Sequence, residues 1–71
     1  MLFKSLVYIE KEDDWYVAHS LESGVASQGK SIDEAIKNLK EAVDLYLDDN
    51  KDFDYNKNVF LTTMEIDTNA V

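Results

Sequence analysis

The chain has no cysteine, no proline and no arginine, and only one histidine and two glycines. Without cysteine, neither a disulfide nor a thiolate metal site can staple the fold. That fits a reducing compartment, and a cytoplasmic location is expected. Without arginine, bidentate contacts to phosphate or guanine are lost. The seven basic residues are all lysine and lie scattered, so no groove forms that replaces the counterions of a nucleic acid. Direct binding of DNA or RNA by the lone chain is therefore not expected. No apolar run approaches the ~18 residues of a membrane span. The N-terminus also lacks a signal-peptide pattern, since Lys4 interrupts its apolar residues. No membrane partner is expected.

The same scarcity limits chemistry. His19 has no serine or cysteine nucleophile that the sequence pairs with it, so it reads as a strand-end or loop residue rather than a base. A zinc site would need several carboxylates to make up for the missing ligands. Gly24 and Gly29 fit neither phosphate-binding glycine pattern. No catalytic residue, cofactor or metal is expected.

What is abundant is acid. Fifteen Asp and Glu against seven Lys give 71 residues a formal charge of −8. A chain of this length makes one domain, with about 60% of its unfolded surface buried. The acidity suits a basic partner, because charge complementarity speeds encounter and rejects wrong partners. It also serves solubility, and charge alone does not separate the two.

The stretch from Ser27 to Asp49 organises the rest. Gly29 lets the chain turn sharply, with φ expected to be positive. Ser31-Ile32-Asp33-Glu34 then fits a capping box, in which the Ser31 oxygen accepts from the Glu34 amide and Glu34 reaches back to the Ser31 amide. From Ile32 to Asp49 the stripe Ile32, Ala35, Ile36, Leu39, Ala42, Val43 and Tyr46 recurs at helical spacing. Leu45 falls outside it, on the polar side. Before the helix, Met1 to Lys11, Trp15 to His19 and Val25 to Gln28 read as strands. After it, Asp48 to Asn58 is a polar linker in which Phe53 and Tyr55 anchor to the helix end, and Val59 to Ile66 alternates as a fourth strand.

The fold class is therefore α+β: a single β-β-β-α-β domain over residues 1–71, with a four-stranded mixed sheet in the order 3-2-1-4. Strand 4 is expected parallel to strand 1, reached by a right-handed crossover. One helix covers one face. Val7 and Ile9 are placed under the helix. Leu6, Tyr8, Tyr16 and Ala18 are placed on the open face and, with Leu45, are the candidates for self-association into a dimer or tetramer.

Glu10, Glu12, Asp13, Asp14 and Glu22 admit a carboxylate–Mg²⁺ nuclease reading, but Asp13 and Asp14 are better explained as a solvated turn.

The run from Glu10 to Asp49 closely resembles the HicB antitoxin family. An acidic strand end and turn, Ile9-Glu10-Lys11-Glu12-Asp13-Asp14, precedes Trp15-Tyr16-Val17-Ala18. Then come Gln28-Gly29, a helix opening Glu34-Ala35, and Lys40-Glu41-Ala42 leading to Leu45-Tyr46-Leu47. The loop Ser20-Leu21-Glu22-Ser23-Gly24-Val25 lacks the proline and cysteine common in the family but keeps its glycine. The resemblance implies a short form with only the N-terminal, partial ribonuclease-H-like domain and no C-terminal DNA-binding domain. The implied role is the antitoxin of a type II toxin–antitoxin system. It would bind a small basic HicA-type ribonuclease and occlude the toxin's RNA-binding and catalytic face, without catalysis of its own. Glu10, Glu12, Asp13, Asp14 and Glu22, taken to lie near one end of the sheet, are the toxin-binding candidates. Two alternatives stay open: an orphan HicB-like homo-oligomeric module with a non-toxin partner, and a weak Mg²⁺-dependent nuclease.

Overall fold

The computed structural model describes residues 2–69. Three strands precede one helix: β1 (Val7–Glu12), β2 (Trp15–Ser20), β3 (Ala26–Gly29) and α1 (Ile32–Asp49). The sheet is antiparallel with β2 in the centre. The helix lies across β2 and β3 on one face, which leaves β1 largely uncovered. The domain is α+β, as the periodicities indicate, and the 3-2-1 part of the expected order is present.

The fourth strand is not. Residues 59–66 form no strand, and Phe60, Leu61, Met64 and Ile66 are between 62% and 87% exposed. Period-2 patterning makes a segment competent for a sheet, but a strand exists only against a partner edge that satisfies its backbone groups. In this chain the segment does not lie along β1. The mixed, four-stranded sheet gives way to a three-stranded antiparallel one.

The β1–β2 hairpin is tighter than its sequence suggests. Glu12 pairs with Trp15 across a turn made of Asp13 and Asp14 alone. Asp13 takes φ 54°, a left-handed conformation that a short polar side chain tolerates where glycine is missing. The register then fixes the faces. Ile9 stands opposite Ala18, and Lys11 opposite Tyr16. Directly opposed residues point to the same side of an antiparallel pair. Ala18 is fully buried with Ala35 and Leu39, and Ile9, Tyr16, Val25 and Val43 pack around them. Tyr16 and Ala18 therefore lie on the helix side and not on the open face. Alternation within one strand says only which residues face alike. Which side they face depends on cross-strand register. Val7 and Ile9 fall on the helix side and Leu6 and Tyr8 on the open side, as expected.

The helix starts where the capping pattern places it. Ser31 is extended at φ −141°, and its Oγ accepts from the Glu34 amide at 3.0 Å. The return contact is shifted by one residue: the amide of Lys30, not of Ser31, donates to Glu34 Oε1 at 3.0 Å. At the other end the Asn50 side chain donates to the Tyr46 carbonyl at 2.7 Å. This satisfies one of the carbonyls orphaned at a helix C-terminus.

Gly29 has an ordinary φ, and the positive value belongs to Gly24 at 75°. What requires glycine at position 29 is space. A Cβ there would lie 2.6 Å from the Ala35 nitrogen and 2.9 Å from Glu34 Cβ, so the end of β3 and the first turn of α1 touch backbone to backbone. Asn38 reinforces the seam by donating to the Gln28 carbonyl at 2.9 Å. Beyond the helix, Phe53 meets Tyr46, Tyr55 and Phe3 edge to face, with ring centroids 5.1–6.0 Å apart. The linker is thus pinned to the helix end and to the segment preceding β1.

Candidate functional site

The uncovered face of the sheet is built by side-chain alternation alone. β1 contributes Tyr8, Glu10 and Glu12, with Leu6 just before it, and β2 contributes Trp15, Val17 and His19. The Tyr8 and His19 rings stack at 4.3 Å with 3° between their planes. Lys30 Nζ lies 5.4 Å from the centroid of the Trp15 ring, a cation–π arrangement that covers one end of the indole. Leu6, Tyr8 and Trp15 remain about two-fifths exposed. Alternation alone does not reveal Trp15, Val17 and His19 here, because only register shows that they, and not Tyr16 and Ala18, share this face.

Acid lines one side of these aromatics. Glu10 lies between Tyr8 and Glu12 on β1, and Glu12 leads into the Asp13–Asp14 turn. All four carboxylates are exposed. His19 Nε2 lies 3.0 Å from Glu10 Oε1. The angle does not make a hydrogen bond, so this nitrogen has no hydrogen-bond partner among the described residues. The contact is an ion pair only when the ring is protonated. Leu45 is 66% exposed on α1, away from this face.

Glu22 does not join the acidic group. It follows the Ser20 end of β2, whereas Asp13 and Asp14 sit at the Trp15 end. Five steps along a strand separate the two ends by roughly 17 Å. The five acids therefore do not share one end of the sheet, and they do not converge on a common point. Glu22 is also buried. Its carboxylate accepts from Ser5 Oγ at 2.7 Å and from the Leu6 amide at 3.0 and 3.1 Å. Burial pushes the Glu22 carboxyl upward. The hydrogen bonds from Ser5 and from backbone amides, with Lys57 nearby, outweigh this and hold it below its ordinary value of 4.5.

A short relay of hydroxyls ends on this carboxylate. Ser23 Oγ donates to Ser20 Oγ at 2.8 Å, Ser20 and Ser5 lie 2.7 Å apart, and Ser5 donates to Glu22. Ser20 is 1% exposed. A carboxylate with a depressed pKa and its lone pairs occupied is a weak base, so the relay is a clasp. It closes the β2–β3 loop onto the start of β1, where Glu22 replaces the strand neighbour that the Leu6 amide would otherwise lack. Nothing in the spacing of the serines announced it.

Among the described residues, no group of three or more His, Cys, Asp or Glu is placed to hold a metal ion. No helix among them is long and apolar enough to cross a membrane. The face is thus apolar and aromatic, with an acidic border.

Over 67 residues the chain is 33% identical to a UPF0150 protein of Archaeoglobus fulgidus, covering 92% of this chain and 97% of that one. A stretch of 42 residues is 50% identical to a UPF0150 protein of Helicobacter pylori. That match spans 58% of this chain and 58% of the relative. No solved structure matches the chain. Residues 4–71 match a family described as "Family of unknown function (DUF7387)", and the chain belongs to that family.

Proposed function

We propose that this protein is a HicB-type antitoxin that binds and neutralises a small basic HicA-type ribonuclease. The observation that carries the reading is the uncovered sheet face. Tyr8, Trp15 and Leu6 stand partly exposed beside Glu10, Glu12, Asp13 and Asp14, in a chain of net charge −8. A toxin that grips RNA needs a positive surface. An acidic border competes for that surface with the RNA phosphates, and the aromatic patch supplies burial once the two proteins meet. The antitoxin carries out no catalysis of its own, needs no metal or cofactor, and acts in the cytoplasm beside its target. Its fold is a reduced ribonuclease-H-like unit, complete once residues 59–66 pair as a fourth strand. Glu22 drops out of the contact set, because its carboxylate is held inside the chain. Its commitment there also weakens the nuclease alternative, which needs these acids to converge.

The test is co-expression with the product of the neighbouring reading frame. That product should be small and basic, should arrest growth alone, and should co-purify with this chain and lose its RNA cleavage in the complex. A neighbour that leaves growth unaffected, or that does not bind, favours the orphan module.

A further inference from the structure

The groove beside β1 and the exposed segment 59–66 are complementary, and we infer that they meet between two copies of the chain. Among the described residues β1 pairs only with β2, so its outer edge presents unpaired backbone groups. Because α1 covers β2 and β3, a mostly apolar groove of about 360 Å³ opens between the flank of the helix and the chain leading into β1, reaching β1 itself at Val7. Phe3, Ser5 and Val7 form one wall, and Leu39, Val43 and Leu47 the other. This is the slot that a fourth strand would occupy. Residues 59–66 carry a fourth strand's pattern, with Phe60, Thr62, Met64 and Ile66 on one side and Val59, Leu61 and Thr63 on the other.

Three observations select a second copy over the chain's own segment. The base of the segment is fixed, through the Phe53 ring cluster and through Lys57 Nζ, which donates to the Glu22 carbonyl at 3.3 Å. From that base residues 59–66 run as an arm without regular structure and mostly exposed, in a molecule that is elongated, 48 Å in its longest dimension against about 27 Å for an 18-residue helix. The arm's large apolar side chains are exposed and its own groove is unfilled. Eight residues of strand span roughly 26 Å, enough to line the groove from Phe3 to Val7 and continue along the outer edge of β1. A two-fold axis would place each arm in the other copy's groove. Both edges and both sets of apolar side chains are then covered at once, and the assembly closes as a dimer without leading to a filament. The occupant of the groove is residues 59–66 of a second copy. This inference is independent of toxin binding.

Sedimentation of the full chain at micromolar concentration should give a dimer. Phe60→Asp with Met64→Asp should raise the dimer dissociation constant roughly tenfold or more, with the helical circular-dichroism signal unchanged. Thr62→Pro, which removes a ladder donor from the arm, should act in the same direction. Leu45→Asp should leave the dimer intact. Amide hydrogen exchange at residues 60–66 should slow as chain concentration rises. A monomeric native chain, a dimer indifferent to the arm variants, or a dimer dispersed by Leu45→Asp overturns the inference. So does arm protection that is independent of concentration, because it would mean that the arm closes on its own chain.

Discussion

Removing the Glu22 carboxylate should cost this domain a large share of its stability. The carboxylate holds Ser5 Oγ and the Leu6 amide together, and through the Ser20 hydroxyl it ties the β2–β3 loop to the start of β1. Each hydrogen bond to a charged group contributes roughly 1.5–3 kcal/mol, and leaving a buried donor unsatisfied costs about as much. Glu22 keeps 9% of its surface exposed, so the lower part of that range applies. Glu22→Ala, which strands two donors, should therefore lose about 2–4 kcal/mol. A 71-residue domain has roughly 4–10 kcal/mol in total. The alanine variant should be unfolded at a substantially lower urea concentration, read by Trp15 fluorescence and by helical circular dichroism. Glu22→Gln keeps an acceptor and should lose only about 1 kcal/mol. Acidity separates charge from shape. The folded carboxyl titrates below 4.5, its unfolded value. Its stabilisation is therefore fully present at neutral pH and is lost as pH falls below 4.5 through the folded pKa. The stability difference between the native chain and Glu22→Gln should accordingly shrink toward zero in that acid window, while the other carboxylates cancel in the comparison. An alanine variant within about 0.5 kcal/mol of the native chain, the scatter of ordinary surface substitutions, would refute the clasp. A native-minus-glutamine difference that stays flat with pH would refute the role of the charge.

Gly29→Ala should destabilise by about 1–3 kcal/mol through overpacking against the Ala35 amide. Gly24→Ala should lose about 1 kcal/mol, by a different route: nothing crowds that position, but its φ is left-handed. Denaturant midpoints of the two variants check both. Ser31→Ala should lose about 1 kcal/mol from the helix N-terminus, with amide exchange quickening first at Glu34. If the sheet face binds the toxin, Trp15→Ala or Tyr8→Ala should weaken binding by about 2 kcal/mol, roughly thirtyfold, mainly through dissociation. Neutralising Glu12, Asp13 and Asp14 together should instead slow association and flatten its salt dependence. Calorimetry and stopped-flow mixing separate the two, and a triple variant that associates as fast as the native chain removes the steering role.

Much of this fold is legible because its cues are local. The helix from Ile32 to Asp49, its cap at Ser31 and the three strands follow from periodicities and hydrogen-bonding groups a few residues apart. The errors lie where the answer depends on something distant. Local alternation puts Tyr16 and Ala18 on the wrong face, because that choice rests on the pairing of β1 with β2. Gly29 suggests a turn conformation from its neighbours, but its constraint comes from a helix residue six positions on. Glu22 looked like one of several surface acids until the fold brought Ser5 and the Leu6 amide to it. Residues 59–66 have a strand's pattern on their own, but a strand is a property of two segments. The acidic turn and the exposure of Leu6, Tyr8 and Leu45 needed only local pattern and were read correctly.

The sequential arrangement of the sheet and helix also bears on how the chain reaches this state. β1 pairs with β2, β2 with β3, and α1 follows immediately to lie on β3 and β2. Each contact closes a short loop, so little chain entropy is lost before native contacts begin to form. The body should thus collapse quickly, without waiting for any distant part of the chain. The C-terminal arm takes no part in that nucleus. Folding of the first fifty or so residues should therefore be unimolecular, with a rate that does not depend on how much protein is present. Any step that orders the remainder comes afterwards, on a slower clock set by encounter.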